Sequence, residues 1–514
     1  MADFIMPSIQ DVTPATLAWV GISLVVAIVI ANEFRSWWRL HHIPGPFLNS
    51  ISNLPLTKMA SGGRISYGLM EIQKKYGPLV RIGPGLVMIG DPETFRRMSS
   101  VRSEFTKGPW YEASRMVPDQ DSVFTSRDET WRKATKAKMA PGYSGKDGKG
   151  FEPKVDQIVT QLVDLIERKY ISTATEYRPI EFAHTISFFA LDVISEISFG
   201  EAFGFLREDK DLYNYVAIND VSMPILVAVT TIPWVDKYLK MWPLNKGMPK
   251  EGDQIGFGML MGLANQIVGK RFEPGAEPRG DMLESHIRNG MNKKELLAEI
   301  FLELIAGVDS TATAIRMIIL YLINTPSALS SLRKEIDLAV SSSKGLATSS
   351  SPSGIVSDAA AYKLPYLQAV IKEGMRMIPP ATGWMNKQPP KGGAEMHGFH
   401  VPEGTQIAVN IMYMMHDPII FGPDADVFRP ERWLEVGEEK ANEMSRVLDL
   451  CFGYGKYQCM GVKIAWTEMN KVVFELVRRF DFAVANPLQP LEIFDAAFWI
   501  CKNFHLRVTK RVPQ

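Results

Sequence analysis

The sequence predicts a mainly α-helical body with a few small β-sheets, preceded by one N-terminal transmembrane helix, and three observations lead there. Most long segments carry apolar residues at helical spacing. Short strand-like runs stand out around Leu79 to Ile89, Phe399 to Val409 and Leu506 to Thr509, each beside Gly or Pro. From Ala15 to Ala31 the chain carries no charge, and this run precedes everything else.

As a helix, that run rises about 26 Å, close to the roughly 27 Å hydrocarbon layer of the endoplasmic reticulum. Arg35, Arg39 and Lys58 follow it, so the positive-inside bias places the rest of the chain in the cytosol, with Trp37 and Trp38 where an interfacial aromatic pair sits. A cleaved signal peptide is the rival, with Val29-Ile30-Ala31 as a passable cleavage site. The residues ahead of the run, Asp3 and Asp11, are acidic where a signal peptide is basic. Pro44-Gly45-Pro46 then forbids helix continuation. The expected division is an anchor over 1–34 (span about 15–31), a Pro/Gly-containing linker over 35–60 and one large domain over 61–514.

Composition narrows what that domain does. Of 514 residues, 46% are hydrophobic and 22% charged, as in a globular protein with a large core. Lys plus Arg and Asp plus Glu balance at 57 each, so no basic field is available to hold nucleic acid. The three cysteines, Cys451, Cys459 and Cys501, are too few for a disulfide framework and lack the spacing of a zinc site. No repeat is visible, and the Ser-rich stretch from Ser341 to Gly354 reads as a solvated loop.

The segment from Asn292 to Asn324 is the most informative helix. Asn292 with Glu295 forms a capping box and Thr325-Pro326 closes the helix. About 32 residues would run about 50 Å, enough to cross a whole domain. Glu299, Glu303, Asp309 and Arg316 interrupt it, which argues for a protein core over a second membrane span.

Phe452-Gly453-Tyr454-Gly455-Lys456-Tyr457-Gln458-Cys459-Met460-Gly461 places a cysteine at the end of a Gly-rich loop. Val462, Ala465, Trp466, Met469, Val472, Val473 and Leu476 continue at helical spacing, so Cys459 precedes a helix N-terminus. There the dipole and free N–H groups are expected to lower the thiol's pKa. Gly453 and Gly455 let backbone pass close to a large flat ligand.

With this loop the chain resembles the cytochrome P-450 family of haem-thiolate monooxygenases. The resemblance implies that family's fold, with a heme b group between the long helix and the cysteine loop. It implies that Cys459 is the axial ligand of the iron, a thiolate whose electron donation favours O–O cleavage, and that Phe452, Gly453, Gly455 and Lys456 flank the group.

Three further segments carry the resemblance. Glu373 and Arg376 share a helix face, and Phe428-Arg429-Pro430-Glu431-Arg432-Trp433 looks like the family's second-arginine segment. Glu373, Arg376 and Arg432 are therefore expected as a buried charged triad that holds the loop before Cys459. The third is Ala306-Gly307-Val308-Asp309-Ser310-Thr311 in mid-helix, where glycine costs about 1 kcal/mol relative to alanine. By resemblance it lines the oxygen side of the haem: Gly307 leaves room for dioxygen, and Asp309 with Ser310 or Thr311 relays protons. A plain kink with hydroxyls bonded back to carbonyls is the alternative.

Two departures stand out. The alcohol after the acid is usually threonine in the family and is Ser310 here. The basic residue usual two before the cysteine is Tyr457, so one propionate contact is missing; Lys456, Lys387 and Lys136 stand at positions that resemble the family's propionate-binding sites and are expected to compensate.

No dinucleotide fingerprint is in place, since Gly256, Gly258 and Gly262 are out of spacing. Electrons are therefore expected from a separate NADPH-dependent flavoprotein reductase, with a small electron-carrier haem protein as a further partner the family suggests. The regions that the resemblance assigns to substrate contact are Gly108 to Thr125, Phe205 to Trp242, Ile378 to Met385 and the surroundings of Phe498. They are rich in Trp, Met, Phe and Pro and suit a lipophilic molecule. The Lys456-Tyr457-Gln458 version of the loop and Gly142-Tyr143-Ser144-Gly145-Lys146 resemble filamentous-fungal members. That implies a tailoring oxidation with O2 in secondary metabolism, on a terpenoid, polyketide or alkaloid, at the endoplasmic reticulum membrane. A reductase-independent haem-thiolate isomerase or peroxygenase, and a non-catalytic haem membrane protein, are the alternatives.

Overall fold

The computed structural model describes residues 13–512, apart from 116, 118–119, 146–149, 233–234, 236–240, 242–249, 251, 254–255 and 343–353. The Ser-rich stretch and the far end of the Phe205 to Trp242 region thus lie largely outside the described residues.

The uncharged run belongs to a longer helix, Pro14–Leu40, opened by Thr13, whose hydroxyl accepts the Thr16 N–H at 3.2 Å. Within it, Trp19–Leu40 is long and apolar enough to cross a membrane, and Trp19, Ile22, Leu24 and Ile30 stand exposed, whereas Leu40 at its end is buried. Apolar residues that find no core need an apolar solvent. The helix continues through Arg35 and Trp38 before it stops. Its end is tied to the body by Arg39 to the Glu403 carbonyl, by the His42 ring at 2.8 Å from the His400 carbonyl oxygen and by Arg81 donating to the Trp37 carbonyl at 3.4 Å. In the Pro44-Gly45-Pro46 turn a Cβ on Gly45 would strike the Arg81 carbonyl, so only glycine lets the chain lie against that strand.

All three expected strand regions are present. Leu79–Gly83 and Leu86–Ile89 form a hairpin whose second strand runs parallel to Gln406–Val409. Lys387–Gln388 and Thr106–Lys107 complete this five-stranded sheet. His505–Lys510 pairs with Phe480–Val484 and Ile180–Glu181, and small hairpins lie at Ala394–Val401 and Glu492–Lys502.

The helical body surrounds Lys293–Asn324. Its capping box is formed, with the Glu295 N–H on Asn292 Oδ1 and the Asn292 N–H on Glu295 Oε2, both at 3.0 Å. Phe182–Phe199, Pro365–Met377 and Val462–Arg479 pack around it. The four charges that interrupt the helix are each bonded: Glu299 by the Val123 N–H, Glu303 by Tyr143, Ser198 and His286, Asp309 by Asn219, and Arg316 to the Ala183 carbonyl. Such compensation is what lets a core helix carry charge.

Candidate active site

Between Ala298 and Ile319 every residue of the long helix is buried except Leu302, Ala306, Gly307 and Ser310. Their spacing puts one accessible stripe on an otherwise enclosed helix. At one end, Ala298 and Leu302 line a small cavity with Ser114, Val117, Gln120, Ser122 and Thr125.

The cysteine loop begins with a turn at Asp449–Phe452 and a second at Gly455–Tyr457. Gly453 and Gly455 have φ of 72° and 56°, in the left-handed region. A Cβ on Gly453 would come within 2.8 Å of the Tyr457 carbonyl oxygen, and one on Gly455 would strike the Ser99 carbonyl. The Cys459 N–H closes the loop on the Phe452 carbonyl at 2.7 Å. Gly461 then caps Val462–Arg479, so the sulfur precedes a helix N-terminus as expected.

The expected depression of its pKa is not found. Burial among protein atoms raises the Cys459 thiol, and the Gly461 N–H and the Lys136 charge only partly oppose this. The expectation counted the helix terminus and omitted desolvation. Cys459 is nevertheless exposed, unlike Cys501, which is buried, and Cys451, which is half-buried. The exposed side chain of Cys459 is the one of the three cysteines open to a ligand.

Glu373, Arg376 and Arg432 meet as the triad the sequence suggested, and all three are buried. Arg376 forks onto Glu373 at 2.9 and 2.8 Å, and Arg432 Nε reaches Oε1 at 2.8 Å. The Trp433 indole and the Arg429 N–H donate to the same carboxylate, each at 2.9 Å. Burial alone would raise the Glu373 pKa; Arg376, Arg432 and the Arg429 N–H overcome it and hold the group ionised. Arg376 also binds the Met415 and Ala425 carbonyls, which fixes the segment leading toward the cysteine loop.

The three lysines expected near the loop all reach it. Lys136 donates to the Gln458 carbonyl at 2.9 Å, Lys456 to the Ser103 and Phe105 carbonyls at 3.1 and 3.2 Å, and Lys387 lies 3.7 Å from the Tyr457 ring centre. Sequence reasoning missed two more cations. Arg132 lies 4.7 Å and Lys107 5.6 Å from the same ring, so Tyr457, which replaces the expected basic residue, gathers cations on its π-system. Its hydroxyl donates to Glu129 at 2.6 Å. Burial and the neighbouring Arg132 charge pull Lys107 down to about 7, and burial with the Lys107 charge puts Lys387 well below the usual lysine range. The Arg132 Nε is buried without a hydrogen-bond partner.

This donor set tests the fit of the expected cofactor. Lys107, Lys387 and Arg132 crowd around one carboxylate, Glu129, with an orphaned guanidinium N–H among them, and an anionic partner would hold the two lysines charged against the burial that lowers them. They surround Tyr457, two residues before the exposed Cys459. A planar group with two carboxylates and a metal at its centre fits both features.

In the middle of the long helix, Ser310 Oγ donates to the Ala306 carbonyl at 2.7 Å, the back-bond that the alternative reading described. The Thr311 hydroxyl makes no hydrogen bond among the described residues. Asp309 is buried, and burial raises its pKa to about 6 against the opposing Arg316 charge and the Asn219 hydrogen bond. Gly307 stands on the accessible stripe, and a Cβ there would come within 3.3 Å of Ile194 Cδ1 on the neighbouring helix Phe182–Phe199.

The four regions expected to contact substrate meet in one apolar cluster. It contains Trp110, Tyr111, Met223, Val227 and Trp384, with Phe124 and Phe498 packed against it.

The cytochrome P-450 family profile matches residues 44–505, nearly the whole described body. The chain belongs to the cytochrome P-450 family. Among similar proteins, cytochrome P-450 monooxygenase ABA1 of Pyricularia oryzae is 40% identical over 508 residues, covering 96% of this chain and 97% of the relative. Cytochrome P-450 monooxygenase aba1 of Botryotinia fuckeliana is 38% identical over 475 residues, covering 92% of each. Cytochrome P-450 monooxygenase cicH of Emericella nidulans is 29% identical over 503 residues, covering 96% and 98%. This cytochrome P-450 is thus a haem-thiolate oxidoreductase of the fungal monooxygenase type, taking electrons from a redox partner and acting with O2 on a substrate.

Proposed function

We propose that this cytochrome P-450 inserts one oxygen atom from O2 into a hydrophobic fungal metabolite, with Cys459 as the iron ligand. The observation that carries the reading is the convergence of an accessible cysteine, a nest of buried cations and the polar stripe of the long helix. When bound, the haem supplies oxygen activation and two-electron oxidation. Lys107, Arg132 and Lys387 hold the propionates, and Lys136 and Lys456 secure the loop that presents the sulfur. Glu373, Arg376 and Arg432 keep that loop in place. Asp309, raised by burial toward neutral pH, takes up a proton from water and passes it to the oxygen side through Thr311 or Ser310.

A terpenoid, polyketide or alkaloid suits the apolar cluster of Trp110, Met223, Trp384 and Phe498. An NADPH-dependent flavoprotein reductase is the electron source proposed. The Pro14–Leu40 helix anchors the protein in the endoplasmic reticulum membrane with the domain from residue 61 onward in the cytosol, which its flanking Arg35 and Arg39 favour.

Microsomes holding the protein and a reductase, incubated with candidate lipophilic substrates under labelled dioxygen, test the reaction. Labelled product that depends on NADPH is expected. Product without label, or formed equally without NADPH, returns the isomerase or peroxygenase alternative.

A further inference from the structure

The helix Tyr215–Thr230 reaches the long helix through polar contacts at its first turns, from Tyr215 and from Asn219. Asn219 Nδ2 donates to Asp309 Oδ2 at 2.9 Å, and both residues are more than nine-tenths buried. The other half of the amide, Oδ1, is buried with no hydrogen-bond partner. A buried acceptor left open is a cost the fold has no packing reason to keep.

The neighbours of Asp309 give the open acceptor a meaning. Arg316, on the same helix, is engaged by the Ala183 carbonyl and Ser187. Asp220, beside Asn219, is paired with Lys502 at 2.9 Å. The Tyr215 hydroxyl is given to the Leu304 carbonyl, and Cys501 lies buried on the adjoining strand. Asn219 is therefore the group bonded directly to Asp309, and it carries no charge. A lysine or arginine in its place would fix the carboxylate ionised and remove it from proton transfer. An amide presents a donor and an acceptor at almost the same distance, and a half-turn about its terminal bond exchanges them. Turned one way it donates to a carboxylate; turned the other it accepts from a carboxylic acid.

We infer that Asn219 is a positioning residue for Asp309, holding its carboxyl in one orientation through both protonation states by exchanging its amide donor and acceptor. This rests on the reading of Asp309 as a proton donor. A proton enters from water at Asp309 and leaves toward the oxygen side, and the amide caps whichever state remains.

The holoenzyme with its reductase is supplied with NADPH and dioxygen alone, dioxygen being the probe. Hydrogen peroxide formed per NADPH consumed is followed across pH, because reduction of dioxygen to peroxide uses one NADPH and reduction to water uses two. Asn219→Leu removes a bond that favours the carboxylate, so the midpoint of this profile should rise by about one pH unit and the peroxide fraction should grow. Asn219→Ser, whose hydroxyl keeps both donor and acceptor, should fall between Leu and the parent, and it decides the matter if the Leu variant does not bind haem. Asp309→Asn, measured alongside, should abolish the pH step. Asn219 profiles that superimpose on the parent while Asp309→Asn alters it would overturn the inference alone. A parent-like profile for Asp309→Asn would remove the proton-donor reading, and the inference with it.

Discussion

Glu373→Gln is the sharpest perturbation of the cysteine loop's support. Five hydrogen bonds end on the Glu373 carboxylate, three on Oε1 and two on Oε2. An amide can accept at only one of those oxygens, and its NH2 would face donors from Arg376, Arg432 or Trp433. Arg376 then loses its carboxylate partner and Arg432 keeps only Asp424, which costs about 3–5 kcal/mol. For a body of about 450 residues the unfolding entropy is about 1 kcal/mol per degree, so Tm should fall by about 3–5 °C. Because Glu373 is held below its usual pKa, its contribution is present above the ordinary glutamate range and lost as pH falls through the lower folded value. The gap between parent and variant should therefore be full at pH 7 and shrink in acid. Differential scanning fluorimetry gives Tm, and haem absorbance per protein gives loading. A variant with parental Tm and full loading at pH 7 would refute the view that this triad supports the loop.

Replacing Cys459 by alanine should abolish the parent's low-spin absorption bands, and retention of those bands would mean the iron is held elsewhere. Lys387→Met together with Lys107→Met should weaken haem retention in an apo-myoglobin transfer assay by about tenfold or more, since each cation removed is a buried charge-assisted contact; parental retention would place the propionates elsewhere. Gly307→Ala gains helix propensity of about 1 kcal/mol and asks Ile194 to shift by a few tenths of an ångström. Its Tm should stay within about 2 °C of the parent, with coupling to NADPH unchanged. Lost coupling at parental Tm would favour the dioxygen role expected of this glycine.

The central helix and the site's signatures were legible because each is local. Asn292 with Glu295 and the closing Thr325-Pro326 bound the helix in sequence and in space. Glycines that sit in the left-handed region, such as Gly453 and Gly455, have no other cheap use and so mark the cysteine loop. Two-residue strands such as Thr106–Lys107 carry no readable alternation, so nothing in the sequence marks Lys107. Arg132 stands one turn before Lys136 among other basic residues and carries no signal of its own. Its buried Nε is visible only in the folded chain. Asn219 carried no signal at all, being a neutral residue ninety positions from the acid it touches.

What the sequence alone determined is the set of parts: an apolar span, a capped core helix, a cysteine in a glycine loop and a charge triad. These follow from backbone preference and periodicity, which act over a few residues. Tertiary structure decided how burial changes each group. It raised the Cys459 thiol and Asp309, brought the lysines around Tyr457, and packed Ile194 against Gly307. Desolvation depends on every atom packed around a group, and most of those atoms come from distant parts of the chain.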